Sequence, residues 1–159
     1  MATLPQLIEE DIRQVDEVLL EFIRQADLIG ALVIDKGGFL ITHQGNTGDL
    51  DLTTIGALAS GAFMATQTLA GLVNEKNFNS TFQQGEKFSL YILEVDEECL
   101  MAIVFASSTG LGVVKYYSAS VAAAIARQLK VARARNPDGG FDLSMLNLAN
   151  PQELFRKKI

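Results

Sequence analysis

Between Leu52 and Val73 the chain carries no charged residue. The stretch is long for a helix of a water-soluble domain. Its apolar content is not confined to one side. At about 100° per residue, Leu52, Ile55, Leu58, Ala59, Ala62, Thr66, Leu69 and Val73 fall together. The other side holds Gly56, Ala57, Ser60, Gly61, Met64, Gln67, Thr68 and Gly71. A surface helix normally places Lys and Glu there. This one offers a flat, uncharged face with one Met near its centre.

Three environments suit such a helix: a membrane, the core of a monomer, or a contact with another chain. Small residues four apart (Gly56 to Ser60, Gly61 to Ala65) also occur in membrane helices. Against a span, fewer than half the residues are large and apolar, and the flanks are Asp and Asn rather than Trp, Tyr or Arg. The reading favoured is a helix covered on one face by its own core and on the other by a protein partner.

A chain of 159 residues suits one domain with a short appendage. A net charge of −6, with no basic stripe, argues against nucleic acid as a partner. The single cysteine, Cys99, lies in an apolar run and is expected to be a buried thiol. The first residues have early acids and no apolar core of a signal peptide, so the expected location is cytoplasmic. The Asn79-Ser80-Thr81 sequon is then without consequence.

Pro5 and the spacing of Ile8, Ile12, Val15, Leu19, Phe22 and Ala26 predict a helix from about 5 to 27. Leu28 to Asp35 and Phe39 to His43 read as a β-hairpin around Lys36-Gly37-Gly38. Asp49 or Asp51 is expected to cap the uncharged helix. Phe78 and Phe82 suggest a short helical turn. Strands are then expected at Lys87 to Val95, Cys99 to Ala106 and Leu111 to Tyr117. The second of these is apolar on both faces, as a central strand covered above and below would be. A last helix, capped by Ser118 or Ser120, should run to the stop at Asn136-Pro137.

The order is α-β-β-α-β-β-β-α, an α+β chain with a five-stranded antiparallel sheet and helices on both faces. Residues 1–137 are read as one domain, and 138–159 as a C-terminal extension. Its Phe141, Leu143, Met145, Leu146 and Leu148 make it too apolar for a solvating tail, so it is expected to dock.

No constellation for catalysis stands out. GxxxxGK[ST], GxGxxG and GxSxG are absent, and Gly110-Leu111-Gly112 reads as turn geometry. His43 has no partner at a metal-ligand spacing and reads as a solvated surface residue. Asp96, Glu97 and Glu98 read as a solvated hairpin turn. The expectation is no catalytic residue, no metal and no cofactor, and a binding or regulatory protein rather than an enzyme.

The segments LTTIGALASGAFMATQTLAGLVNEKNF, FQQGEKFSLYILEV, LMAIVF and TGLGVVKYY resemble the Roadblock/LC7 family, most closely its bacterial MglB-type members. The resemblance covers roughly Glu9 to Ala132. It implies the profilin/longin-like fold and dimers joined through the middle helix and an edge strand. It also implies regulation of a small Ras-like GTPase similar to MglA, two regulators to one GTPase. GTP hydrolysis would be stimulated without an arginine finger. Carried over, the dimer and partner face would be Ala57, Ser60, Gly61, Met64, Gln67, Thr68 and Gly71. How these divide between the twin and the GTPase is left open, as are cellular roles in polarity or motility. The absent finger has a physical counterpart here, because the helix has no Arg or Lys to project toward a transferring phosphoryl group. Two alternatives stand beside this reading: a non-catalytic scaffold or adaptor on the same fold, and a small-ligand sensor or enzyme.

Overall fold

The computed structural model describes residues 4–135. The stop at Asn136-Pro137 and the extension 138–159 therefore lie outside the described residues. The elements run α1 (Glu9–Ala26), β1 (Gly30–Asp35), β2 (Leu40–Gly45), α2 (Leu52–Leu72), β3 (Ser80–Gln84), β4 (Phe88–Glu94), β5 (Cys99–Ala106) and α3 (Leu111–Arg135). The expected order of helices and strands holds. All strand pairs are antiparallel, in the spatial order β2-β1-β5-β4-β3.

β5 lies at the centre of the sheet, and its residues are buried in both directions. Toward α1 and α3 it sends Cys99, Met101, Ile103 and Phe105, which pack with Leu19, Phe22, Ile125 and Leu129. Toward α2 it sends Leu100 and Ala102, which pack with Leu32, Ile34, Ile92, Ala59 and Phe63. Two helices therefore cover one face and α2 the other, as a strand apolar on both sides requires.

Two assignments near the ends of the sheet are corrected. Phe78 and Phe82 do not anchor a helical turn; Ser80–Gln84 is the edge strand β3. Phe82 stacks on Phe105, with ring centroids 6.2 Å apart. Leu111 to Tyr117 is not a strand but the opening of α3, which is helical through to Arg135. Ser118 does not cap that helix. It is buried inside it and donates to the Lys115 carbonyl. The count of five strands is unchanged, because β3 fills the place that Leu111 to Tyr117 was expected to take.

The caps follow ordinary chemistry. Asp11 accepts from the Ile8 amide at the start of α1, and Asp51 accepts from the Thr54 amide at the start of α2. The Thr54 hydroxyl and amide hold the Asp51 carboxyl below its ordinary value. Asp27, in the left-handed region, ends α1.

Candidate functional site

α2 sits close on the sheet because its inner face is small at one end. A Cβ added at Gly56 would stand 3.1 Å from the Ile34 side chain. Gly38, in the β1–β2 turn at φ +94°, backs onto Ala57; a Cβ there would meet the Ala57 Cα at 3.0 Å. Ser60 donates from Oγ to the Lys36 carbonyl at 2.6 Å. Gln67 donates to the Phe78 carbonyl at 2.7 Å and fastens the far half of α2 to the approach to β3. These contacts set the rotation of the helix, and with it which residues face outward.

That rotation differs from the sequence reading. Ser60 was expected on the outer face but is buried at 4% exposure, as is Gly56. Gln67 is half-buried. Ala57, Gly61, Met64, Thr68 and Gly71 are exposed, and a Cβ at Gly61 or Gly71 would meet nothing within 4 Å. Conversely, Leu58, Leu69 and Val73 were expected in the core and stand 68%, 54% and 64% exposed. Leu72 joins them. The signal that sets the phase is Phe63, which the reading placed on neither face. It is the largest buried side chain of α2 and points at the sheet with Ala59 and Ser60.

The open face is therefore more apolar than expected, combining leucines, Met64 and small residues without a charge. By length and composition alone α2 could cross a membrane. In this fold it lies across the sheet, with 28% of its most apolar stretch buried and the remainder half-buried or exposed. Near its first turns, Leu50 and Ile55 border a cavity of about 740 Å3 that extends to Phe88, Leu90 and Val104 at the end of the sheet. None of its lining side chains is charged.

Lys36, in the β1–β2 turn beside α2, is engaged. Its Nζ lies 2.5 Å from Glu94 Oε1, while its carbonyl holds Ser60. Beneath the sheet, burial pushes the Cys99 thiol up to about 12, with nearby Asp96, Asp35 and Glu98 adding to the effect. His43 is exposed on β2. Among the described residues, no group of three His, Cys, Asp or Glu side chains is close enough to hold a metal ion.

Comparison with known proteins places this geometry in a family. The sequence model for the Roadblock/LC7 domain matches residues 14–105. Three solved structures share the fold over most of their length. The gliding protein MglB from Thermus thermophilus is 31% identical, with a TM-score of 0.75, over 82% of this chain and 99% of that one. An MglB described with a tetrameric arrangement is 32% identical, with a TM-score of 0.77, over 83% and 99%. Myxococcus xanthus MglB is 26% identical, with a TM-score of 0.74, over 80% and 96%.

Proposed function

This chain belongs to the Roadblock/LC7 family, MglB type, and from that membership we propose that it is a homodimeric regulator of a small Ras-like GTPase similar to MglA. The observation that carries the reading is the outward face of α2. Ala57, Leu58, Gly61, Met64, Thr68, Leu69 and Gly71 form a charge-free surface on one helix. Small residues let a second copy of α2 approach closely, and the leucines and Met64 supply apolar area to bury. β3 is an edge strand beside the same helix and offers unpaired backbone groups to a twin. The tetrameric arrangement described for one MglB relative supports self-association.

In this reading the paired α2 helices form the docking face, and the protein works in the cytoplasm beside its GTPase. It is not itself an enzyme. It stimulates GTP hydrolysis by positioning groups that belong to the GTPase. The absence of any cation on α2, and the engagement of Lys36 with Glu94, support stimulation without an arginine finger. Roles in polarity or motility belong to the same reading.

The test is single-turnover GTP hydrolysis by a small Ras-like GTPase of the MglA type, with and without the chain present. A faster rate supports an activator. A stable complex with an unchanged rate replaces it with a scaffold, and no complex removes the GTPase from the account. Light scattering measures the pair directly.

A further inference from the structure

The cavity beside the first turns of α2 lies over a part of the sheet that α2 itself leaves uncovered. α2 crosses the strands on a diagonal. Gly56 stands on Ile34 of β1, and Gln67 bonds the Phe78 carbonyl just before β3. β3 runs from Ser80, beside Leu93 of β4, to Gln84, beside Ser89. α2 therefore closes at the Ser80 end of β3, whereas the cavity lies at the Gln84 end, bordered by Gln83, Phe88 and Leu90. Its lining carries no charge, and Phe88 at its margin is exposed.

The other end of α2 has the opposite shape. At 21 residues the helix is about 30 Å long, while five strands span only about 19 Å. Its last turn is left with little sheet beneath it, and Leu69, Leu72 and Val73 are each more than half exposed. That turn is firmly ended rather than frayed. Asn74 takes the left-handed conformation at φ +60°, and the Glu75 amide donates to the Ala70 carbonyl at 2.8 Å. One chain thus carries an uncharged apolar knob and an uncharged apolar hollow, at opposite ends of the same edge strand. Ser80–Gln84 of that strand has neither the charge nor the proline that discourages pairing.

We propose that the hollow is a socket for a second copy of this chain, filled by Leu69, Leu72 and Val73 from the end of its α2. The proposal rests on the homodimer reading above and specifies how the pair interlocks. Antiparallel pairing of β3 with β3 sets the Ser80 end of each chain against the Gln84 end of the other. Each α2 then ends over its twin's cavity, and the contact occurs twice about the two-fold axis. The two α2 helices run antiparallel. No charge is desolvated as knob and socket close, and apolar surface leaves water on both sides. Selectivity follows, since a chain of the same fold with a charge on its knob would be rejected by an uncharged socket.

The test mixes full chains carrying Leu72→Cys with full chains carrying Gln83→Cys and follows disulfides between the two kinds under mild oxidation. The control mixes Thr53→Cys, exposed at the opposite end of α2, with the same Gln83→Cys chain. Native Cys99 is fully buried and does not compete. Docking raises the local concentration of one thiol at the other, so the Leu72→Cys mixture should link at least about tenfold faster than the control. Light scattering of the parent separates failure of the pair from failure of the socket. A parent that stays a single chain removes the homodimer and the socket together. A parent that pairs, with the control linking as fast or faster, keeps the homodimer and overturns the socket. A native mass of two chains plus a bound organic molecule gives the cavity to that ligand and likewise overturns the proposal.

Discussion

Arg135, the last residue of α3, and Asp11, in the first turn of α1, make a two-pronged ion pair: Nη1 to Oδ2 at 2.8 Å and Nη2 to Oδ1 at 2.9 Å. Asp11 is fully buried and also accepts from Gln128 and from the Ile8 amide. The Arg135 guanidinium is the main reason its carboxyl stays well below the usual carboxylate range, with the Ile8 and Gln128 bonds assisting against burial. The sign follows from that direction. An unfolded Asp titrates near about 3.9, so the stabilisation is complete above roughly pH 5 and is lost as pH falls toward the lower folded value. Asp11→Asn should flatten the acid limb of a urea-stability profile between about pH 5 and 3. Arg135→Met strands a buried carboxylate and should lower the urea midpoint more at pH 7 than at pH 3, where Asp11 is closer to protonation.

Gly38 and Gly61 should respond oppositely to alanine. At Gly38 the backbone is left-handed and the new Cβ meets the Ala57 backbone, so Gly38→Ala should lose about 1–3 kcal/mol. Gly61 is in open space within one chain, and in the Met64→Glu background, where pairing is removed, Gly61→Ala should gain about 0.5–1 kcal/mol from helix propensity. Urea denaturation of each variant against its own background checks both signs.

Met64→Glu and Gly61→Arg place charge or bulk on the outward face of α2 without touching the core. Each should leave the far-ultraviolet spectrum near the parent's while shifting the light-scattering mass from a pair toward one chain and removing the dependence of the urea midpoint on protein concentration. Variants that stay paired and still bind the GTPase would remove that face from the interface. Ser60→Ala, only one helical turn from Met64, should instead lose about 1 kcal/mol of stability with its bond to Lys36 and leave pairing unchanged.

Cys99 should resist alkylation in the native protein. Its thiol is fully buried and its pKa is pushed up to about 12, so little thiolate exists near neutral pH. Labelling by iodoacetamide, followed by intact mass, should proceed at the rate of unfolding and become fast only in denaturant.

The order of elements and the two-faced centre of the sheet were legible because β5 carries large apolar residues at successive positions. The face of α2 was only partly legible. When both sides of a helix are apolar, periodicity no longer sets its phase, and three exposed leucine and valine positions were assigned inward while Ser60 was assigned outward. Bonds to distant carbonyls, at Lys36 and Phe78, set the rotation, and no local pattern encodes them. β3 was hidden for a related reason. Phe78 and Phe82 stand four apart, a helical spacing, whereas the strand is held by pairing with β4. At Leu111 to Tyr117 the branched and aromatic residues favour a strand in isolation, but Val114 and Ser118 are buried one helical turn apart.

The seam between β1 and β5 has a kinetic consequence. β1 pairs locally with β2, and β3, β4 and β5 follow one another through short turns, so each half of the sheet forms from neighbouring sequence. The two halves meet only where Gly30 pairs with Val104 and Asp35 with Cys99, residues 74 and 64 positions apart. Closing that loop costs chain entropy before any contact across it is gained. The slow step of folding should therefore be the docking of two preformed pieces at a single strand-to-strand line, with α1 and α3 meeting only once that line is in register.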